Sequence, residues 1–286
     1  MSLTLDQLIE QTEGLMSLPA ITMRLNEMVD DPKSSATDIA NLISQDPSLT
    51  LRLLKLANSP LYGFSSRVDT ISRAVTVIGA GRIRELVIAS TVPRAFDAVE
   101  SPLLSLEDFW RHSIYCGLAA RLLAEEVMPK RAETVFIAGL LHDVGRLLIF
   151  NREPDEAHEA FLLALQQAGE LGPQGAERQV LGYDHAEVGG ELAARWKLPV
   201  SLQECIRYHH RPAEAREFPQ EVALVHMANS VAHMAELDTR DERDAPPVDP
   251  VAFERTGLNA AALRAVVDQA QQQVVEAEAL LLGGEA

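Results

Sequence analysis

Apolar residues recur at helical spacing along almost the whole chain, and no stretch alternates apolar with polar residues as a half-buried strand would. Ile21, Leu25, Met28 and Val29 fall at i, i+4, i+7 and i+8 behind Pro19, a residue suited to a first helical turn. Ile71, Ala74, Val75 and Ile78 repeat the pattern. Thr4 with Gln7, and Ser201 with Glu204, have capping-box spacing and predict helix starts. Asp46 and Pro47 predict another, with Asp46 capping and Pro47 in the first turn. Turn residues gather between such segments, as at Asn58-Ser59-Pro60 and Leu171-Gly172-Pro173. The periods predict an all-α, multi-helix fold.

Composition excludes several functions. The 286 residues allow one large domain or two modest ones, and 25 basic against 42 acidic residues leave a net charge of −17. Phosphate contacts need a basic face, and nothing here concentrates Lys and Arg into one, so direct DNA binding is not expected. No apolar run approaches the ~20 residues that span a bilayer. The N-terminus, MSLTLDQLIEQTEG, carries acids where a signal peptide has a basic region. The expectation is a cytoplasmic protein without a membrane association. Cys116 and Cys205 form no CxxC pair, so neither a disulfide framework nor a zinc ribbon is expected.

Three regions separate along the chain. Residues 1–100 make short helices, and residues 101–236 carry all eight histidines. Residues 237–286 begin with a charged, proline-rich stretch over 237–256 that reads as a linker, followed by a C-terminal helix. That helix spaces Leu263, Val267, Ala270, Val274, Ala277 and Leu281 alternately by four and three. Docking onto the body and homodimer formation fit this seam equally well.

The chemistry concentrates in the histidine region. His142 and Asp143 stand together in the apolar helical segment AGLLHDVGRLL. A buried carboxylate beside an imidazole needs a charged or hydrogen-bonding partner; a divalent cation serves, and so does a network within the core. His112 follows Asp108 by four residues on one helix face. His185 follows Asp184, a candidate N-cap, and His209 and His210 end the helix opened near Ser201. Neutral imidazoles suit iron, zinc, nickel or copper, and carboxylates extend the choice to manganese. His226 and His233 share a helix face, His226 as a core hydrogen-bonding residue; His158 reads as solvated and Cys116 as a buried structural thiol. Arg82 and Arg84, near Gly79 and Gly81, read as a solvated helix start.

His112, the His142-Asp143 doublet, His185 and the His209-His210 pair resemble, in order and spacing, the ligand positions of the HD superfamily of metal-dependent phosphohydrolases, especially the HD-GYP cyclic-dinucleotide phosphodiesterases. This resemblance covers residues 105–235. The sequence departs from that pattern in three places. Asn229 stands where HD enzymes carry a last aspartate, Arg146 where HD-GYP proteins carry a lysine, and the GYP loop is replaced by RPAEAREFP. An amide oxygen ligates without charge, which weakens metal affinity and bridging; arginine keeps its charge but does not donate a proton near neutral pH.

LPAITMRLNEMVDDP, DIANLISQDPSLTLRLLKLANSPLYG and ISRAVTVIGAGRIRELVIAS resemble the HDOD domain, the HD-related output domain of bacterial signalling proteins, over residues 15–212. The resemblance implies a regulatory protein working through other signalling proteins, with no catalysis of its own. The retained ligand set implies a divalent transition metal, iron or manganese first, zinc or nickel also, held by His112, His142, Asp143, His185, His209 and His210, with Asp108 and Asn229 as further candidates. The rival expectation is a metal-dependent phosphohydrolase acting on a nucleotide or cyclic dinucleotide, with Arg146 contacting phosphate. An all-α scaffold with a vestigial site is the third.

Overall fold

Local start and stop signals explain much of the architecture in the computed structural model, which describes residues 3–12, 18–59, 67–99, 101, 103–167 and 171–283. Among these residues every regular element is helical. Helix α1 (Leu5–Thr12) opens with the reciprocal bonds expected of Thr4 and Gln7. The chain divides into two compact units, residues 1–17 with 98–271 and residues 18–97 with 272–286. The segment 237–286, expected as a region of its own, is divided between them.

The smaller unit carries α2 (Ala20–Asp30), α3 (Ala36–Ile43), α4 (Pro47–Ala57), α5 (Ile71–Ile78) and α6 (Ala80–Thr91). Ser35 and Asp38 form a capping box on α3, and Asp46 accepts from the Leu49 N–H at the start of α4, as its sequence predicts. Gly79, at φ 93°, ends α5 and begins α6, a backbone conformation that glycine adopts without steric cost. Asn58 and Ser59 spend their side chains on backbone: Asn58 donates to Leu54 and Val68 and accepts from the Val68 N–H, and Ser59 donates to Leu56. Pro60, of the same expected turn, lies outside the described residues. Leu25, Ile43, Leu49, Leu53, Ile83 and Ile88 form the core, each burial contributing about 1.5–3 kcal/mol. Arg84 pairs with Asp30 at 2.7 Å and Arg82 is exposed.

The larger unit holds α7 (Leu106–Val127), α8 (Ala132–Leu141), α9 (Val144–Arg152), α10 (Pro154–Gln166), α11 (Pro173–Leu181), α12 (His185–Arg195), α13 (Val200–Tyr208), α14 (Pro219–Glu236) and α15 (Pro250–Thr256). Helix α7 packs on α8 and α14, and α12 on α9 and α13. Two crossings are close enough to demand glycine. A Cβ on Gly139 would lie 2.9 Å from the Cys116 carbonyl, and one on Gly145 would lie 2.0 Å from that of His185. These contacts press the α8–α9 junction against α7 on one side and α12 on the other.

Two expectations change. Helix α13 begins after Pro199 without a side-chain cap, and Glu204 accepts instead from the Arg216, Glu217 and Phe218 backbone N–H groups at 2.9, 3.1 and 2.6 Å. Tertiary contact thus overrides the local capping pattern. The expected linker over 237–256 contains α15, capped by Asp249, stopped by Gly257 at φ 73° and packed on α14. In α16 (Ala260–Leu281) the seam from Leu263 to Leu281 is buried within the single chain, as docking onto the body requires. Among the described residues no helix is long and apolar enough to cross a membrane.

Candidate functional site

His142 and Asp143 occupy a two-residue break between α8 and α9, rather than the interior of one helix. The Asp143 carbonyl accepts from the Arg146 N–H at 2.8 Å, which starts α9, and both side chains are turned into the core. Around one oxygen of this carboxylate, Oδ1, imidazole nitrogens from three segments gather. His185 Nε2 lies 3.1 Å away, and His142 Nε2 and His209 Nε2 each lie 3.5 Å away. His210 Nε2 is 2.8 Å from His185 Nε2. Asp143, His185, His209 and His210 can offer ligand atoms to one ion, and His112, His142 and Asp143 to another.

The opposite edge of each ring fixes which nitrogen faces inward. His142 Nδ1–H donates to the Gly139 carbonyl at 2.7 Å, and His209 Nδ1–H to the Ile206 carbonyl at 2.8 Å. The tautomer that donates from Nδ1 presents a lone pair at Nε2. Both Nε2 atoms are buried without a hydrogen-bond partner. Two orphaned lone pairs aimed at a carboxylate oxygen repel it, and a cation among them removes that repulsion. The residues present therefore fit a divalent metal. His185 is held differently: its backbone N–H and its Nδ1–H donate to Glu177 Oε2 at 2.8 and 2.6 Å, the carboxylate–histidine arrangement that orients metal ligands.

Burial and charge separate the titrations. Burial pushes His142 down to about 3, only partly opposed by Asp143, and carries His210 well below its usual range. Burial acts on His185 in the same sense, but the charges of Glu177 and Asp143 outweigh it and lift the ring to about 10. Asp143 is pushed up by burial and pulled further down by His142 and His185, so it stays ionised. Its other oxygen, Oδ2, meets Arg146 Nη1 at 3.2 Å.

A second layer lies between α7 and α14. His112 Nδ1–H donates to Glu236 at 3.1 Å, and His112 Nε2 faces Asn229 Oδ1 at 3.1 Å. Burial lowers the His112 pKa, and the hydrogen bond and charge of Glu236 more than offset it. The His233 ring centroid is 4.8 Å from that of His112, and burial draws His233 down to about 4.

The structure thus brings together His112, His142, Asp143, Arg146, His185, His209, His210 and Asn229. Asp108 is not among them: it sits exposed in the first turn of α7, where its charge suits the helix N-terminus. Glu177, Glu236 and His233 join the group without having been singled out as ligands. Only His233 left a trace, as a helix-face neighbour of His226. His226 itself bridges the core, donating from Nδ1 to the His209 carbonyl at 2.6 Å and accepting at Nε2 from the Asp249 N–H at 2.9 Å. His158 is exposed, and burial pushes the Cys116 thiol well up, away from nucleophilic use.

Comparison with known proteins places this geometry in a family. The HDOD domain matches residues 15–212. A crystal structure from Shewanella amazonensis SB2B, of a protein provisionally assigned as a phosphohydrolase, is 28% identical, with a TM-score of 0.72 and coverage of 96% of this chain and 97% of that one. An HDOD domain protein of unknown function from Geobacter sulfurreducens is also 28% identical, with a TM-score of 0.69 and 96% of each chain covered. An uncharacterised protein of Treponema pallidum (strain Nichols) is 27% identical over 236 residues, 82% of this chain but 45% of its own, so the chain spans less than half of that relative. With the match extending over most of its length, the chain belongs to the HDOD domain family.

Proposed function

We propose that this protein is a cytoplasmic HDOD-type signalling regulator that holds a divalent transition metal and does not turn over a phosphate substrate. The observation that carries the metal is the pair of orphaned, buried Nε2 atoms of His142 and His209 facing Asp143 Oδ1. Asp143, His185, His209 and His210 would hold it, with His142 beside them. Mixed imidazole and carboxylate donors suit iron or manganese, and zinc or nickel are also accommodated. When bound, such an ion supplies a Lewis acid and a fixed positive charge.

The case against turnover rests on the second layer. A further ion beside His112, His142 and Asp143 would meet the neutral amide of Asn229, which faces His112 Nε2, where an anionic ligand is expected. Two-metal hydrolysis needs closely set charge on both sides of the reacting phosphorus. The family and the net charge of −17 favour other signalling proteins over DNA as partners.

The rival reading, a phosphohydrolase, draws on the provisional assignment of the Shewanella protein and on the retained ligands. Arg146 would then leave Asp143 for substrate phosphate. Cyclic dinucleotide and generic phosphodiester hydrolysis by iron- or manganese-loaded protein, beside Asp143→Ala, decides between the two. No turnover is expected. A rate above ~1 per second that vanishes in the control contradicts the regulator reading, since typical enzymes reach that rate.

A further inference from the structure

The larger unit also contains a cavity of about 320 Å³ lined by α9, α10 and the start of α11. That is the lower end of the range for small-molecule sites, about 300–1,000 Å³. Its walls are largely apolar. The inward row of α10 carries Ala157, Ala160 and Ala164, and small side chains at those positions leave the space unfilled. Phe161 and Leu165 line it while remaining 51% and 59% exposed, an apolar surface left in water.

Two charged side chains line the cavity, and both are partners of the histidine cluster. Glu177 is held by His185, whose two N–H groups both donate to Oε2, and its charge also acts on Arg146. Arg146 Nη1 meets Asp143 Oδ2 at 3.2 Å, its Nε is buried without a partner, and the side chain keeps 29% of its exposure. The donor left unused in the cavity wall is thus Arg146 Nε, which calls for an acceptor.

We propose that this cavity binds a small amphiphile with an acidic head and an aliphatic tail, of the medium-chain fatty acid class, the head on Arg146 and the tail against Phe150, Phe161, Leu165 and Leu171. A carboxylate on the guanidinium forms a charge-assisted pair, and the tail covers the exposed apolar side chains. The head competes with Asp143 for Arg146, so occupancy is coupled to the state of Asp143. Such coupling is reciprocal: ligand and metal change each other's affinity by one factor. The coupling rests on the metal reading above; occupancy of the cavity does not.

The test is calorimetric titration of decanoate into metal-free, full-length protein at neutral pH. Saturable binding of one decanoate per chain is expected, with decanol and butyrate each at least about tenfold weaker, the loss expected when a charge-assisted hydrogen bond or most of the tail is removed. Ala164→Leu, which fills the cavity from a partly exposed position, should weaken decanoate by at least about tenfold as well. Absence of saturable binding, equal affinity for decanol, or wild-type affinity in Ala164→Leu overturns the site. A metal titration with and without decanoate then addresses the coupling: an unchanged metal affinity overturns that part alone. A chain that takes up no metal overturns the metal reading while the decanoate result stands.

Discussion

Residues 18–97 with 272–286 bury Thr22, Asn26, Ser59, Ser90 and Thr91 and, among the described residues, no ionisable side chain. The other unit buries Arg121, Asp143, Glu153, Glu177, Asp184, Glu204 and Glu221 together with His142, His185 and His209. Both are helical and both have extensive apolar cores, so helix packing alone does not require that charge. Part of it has a structural role. Glu204 holds three backbone N–H groups, Asp184 caps α12, Glu221 pairs with Arg131 and Glu153 accepts from Tyr183. When those are set aside, with Arg121 beside Glu125 and Glu133, Asp143, Glu177 and the histidines remain, and in them the lone pairs of His142 and His209 have no protein partner. Buried charge with a structural partner stabilises the fold; buried charge facing orphaned lone pairs marks a site for something the chain does not itself supply.

The first way to break this contrast is Leu53→Ala in the smaller unit. Leu53 is 1% exposed, and its truncation should cost about 3 kcal/mol in urea unfolding, a typical loss for a buried leucine. Metal bound per folded chain should not change. A parallel loss of metal would mean that the two units do not divide the labour as described.

A smaller effect is expected from Glu177→Gln. It weakens the acceptor that holds Nδ1 of His185, and should reduce metal affinity by about 10–100-fold, as loss of an orienting carboxylate does. Unaltered affinity, measured by competition with a chelator, would make Glu177 a structural acid only.

The smallest effect is in pH dependence. With its pKa lifted to about 10, metal-free His185 carries a proton at neutral pH, whereas a metal ligand must present a bare nitrogen. His142 and His210 are already neutral there, because burial holds them below their usual range. Metal uptake should release close to one proton from His185, and apparent affinity should rise by up to about tenfold per pH unit between pH 6 and 8. An affinity that is flat or falls across that interval would contradict the assignment of His185 as a ligand.

How much of this was legible in the sequence depended on the range of the signal. Asp46 and Asp184 cap their helices as their local patterns indicate, and the histidines proposed as ligands lie in readable order. Asp249-Pro250 carries the same helix-start signal as Asp46-Pro47, yet it was hidden within a charged, proline-rich stretch that reads as linker. Ser201-Glu204 has the opposite fault: the spacing is right, but Glu204 is drawn to a loop twelve to fourteen residues away. Glu236 lies 124 residues from His112 and Glu177 on a different helix from His185, so neither contact leaves a periodic trace. Asp108 shares a helix face with His112 by spacing, but its position in the first turn leaves it in solvent.

The central claim is that the orphaned nitrogens around Asp143 are metal ligands, and elemental analysis of untagged protein tests it most directly. After reconstitution with iron or manganese, about one equivalent or more per chain should survive desalting, and Asp143→Ala should retain almost none. Less than about a tenth of an equivalent in the unaltered protein, after reconstitution with iron, manganese, zinc or nickel, would contradict the claim.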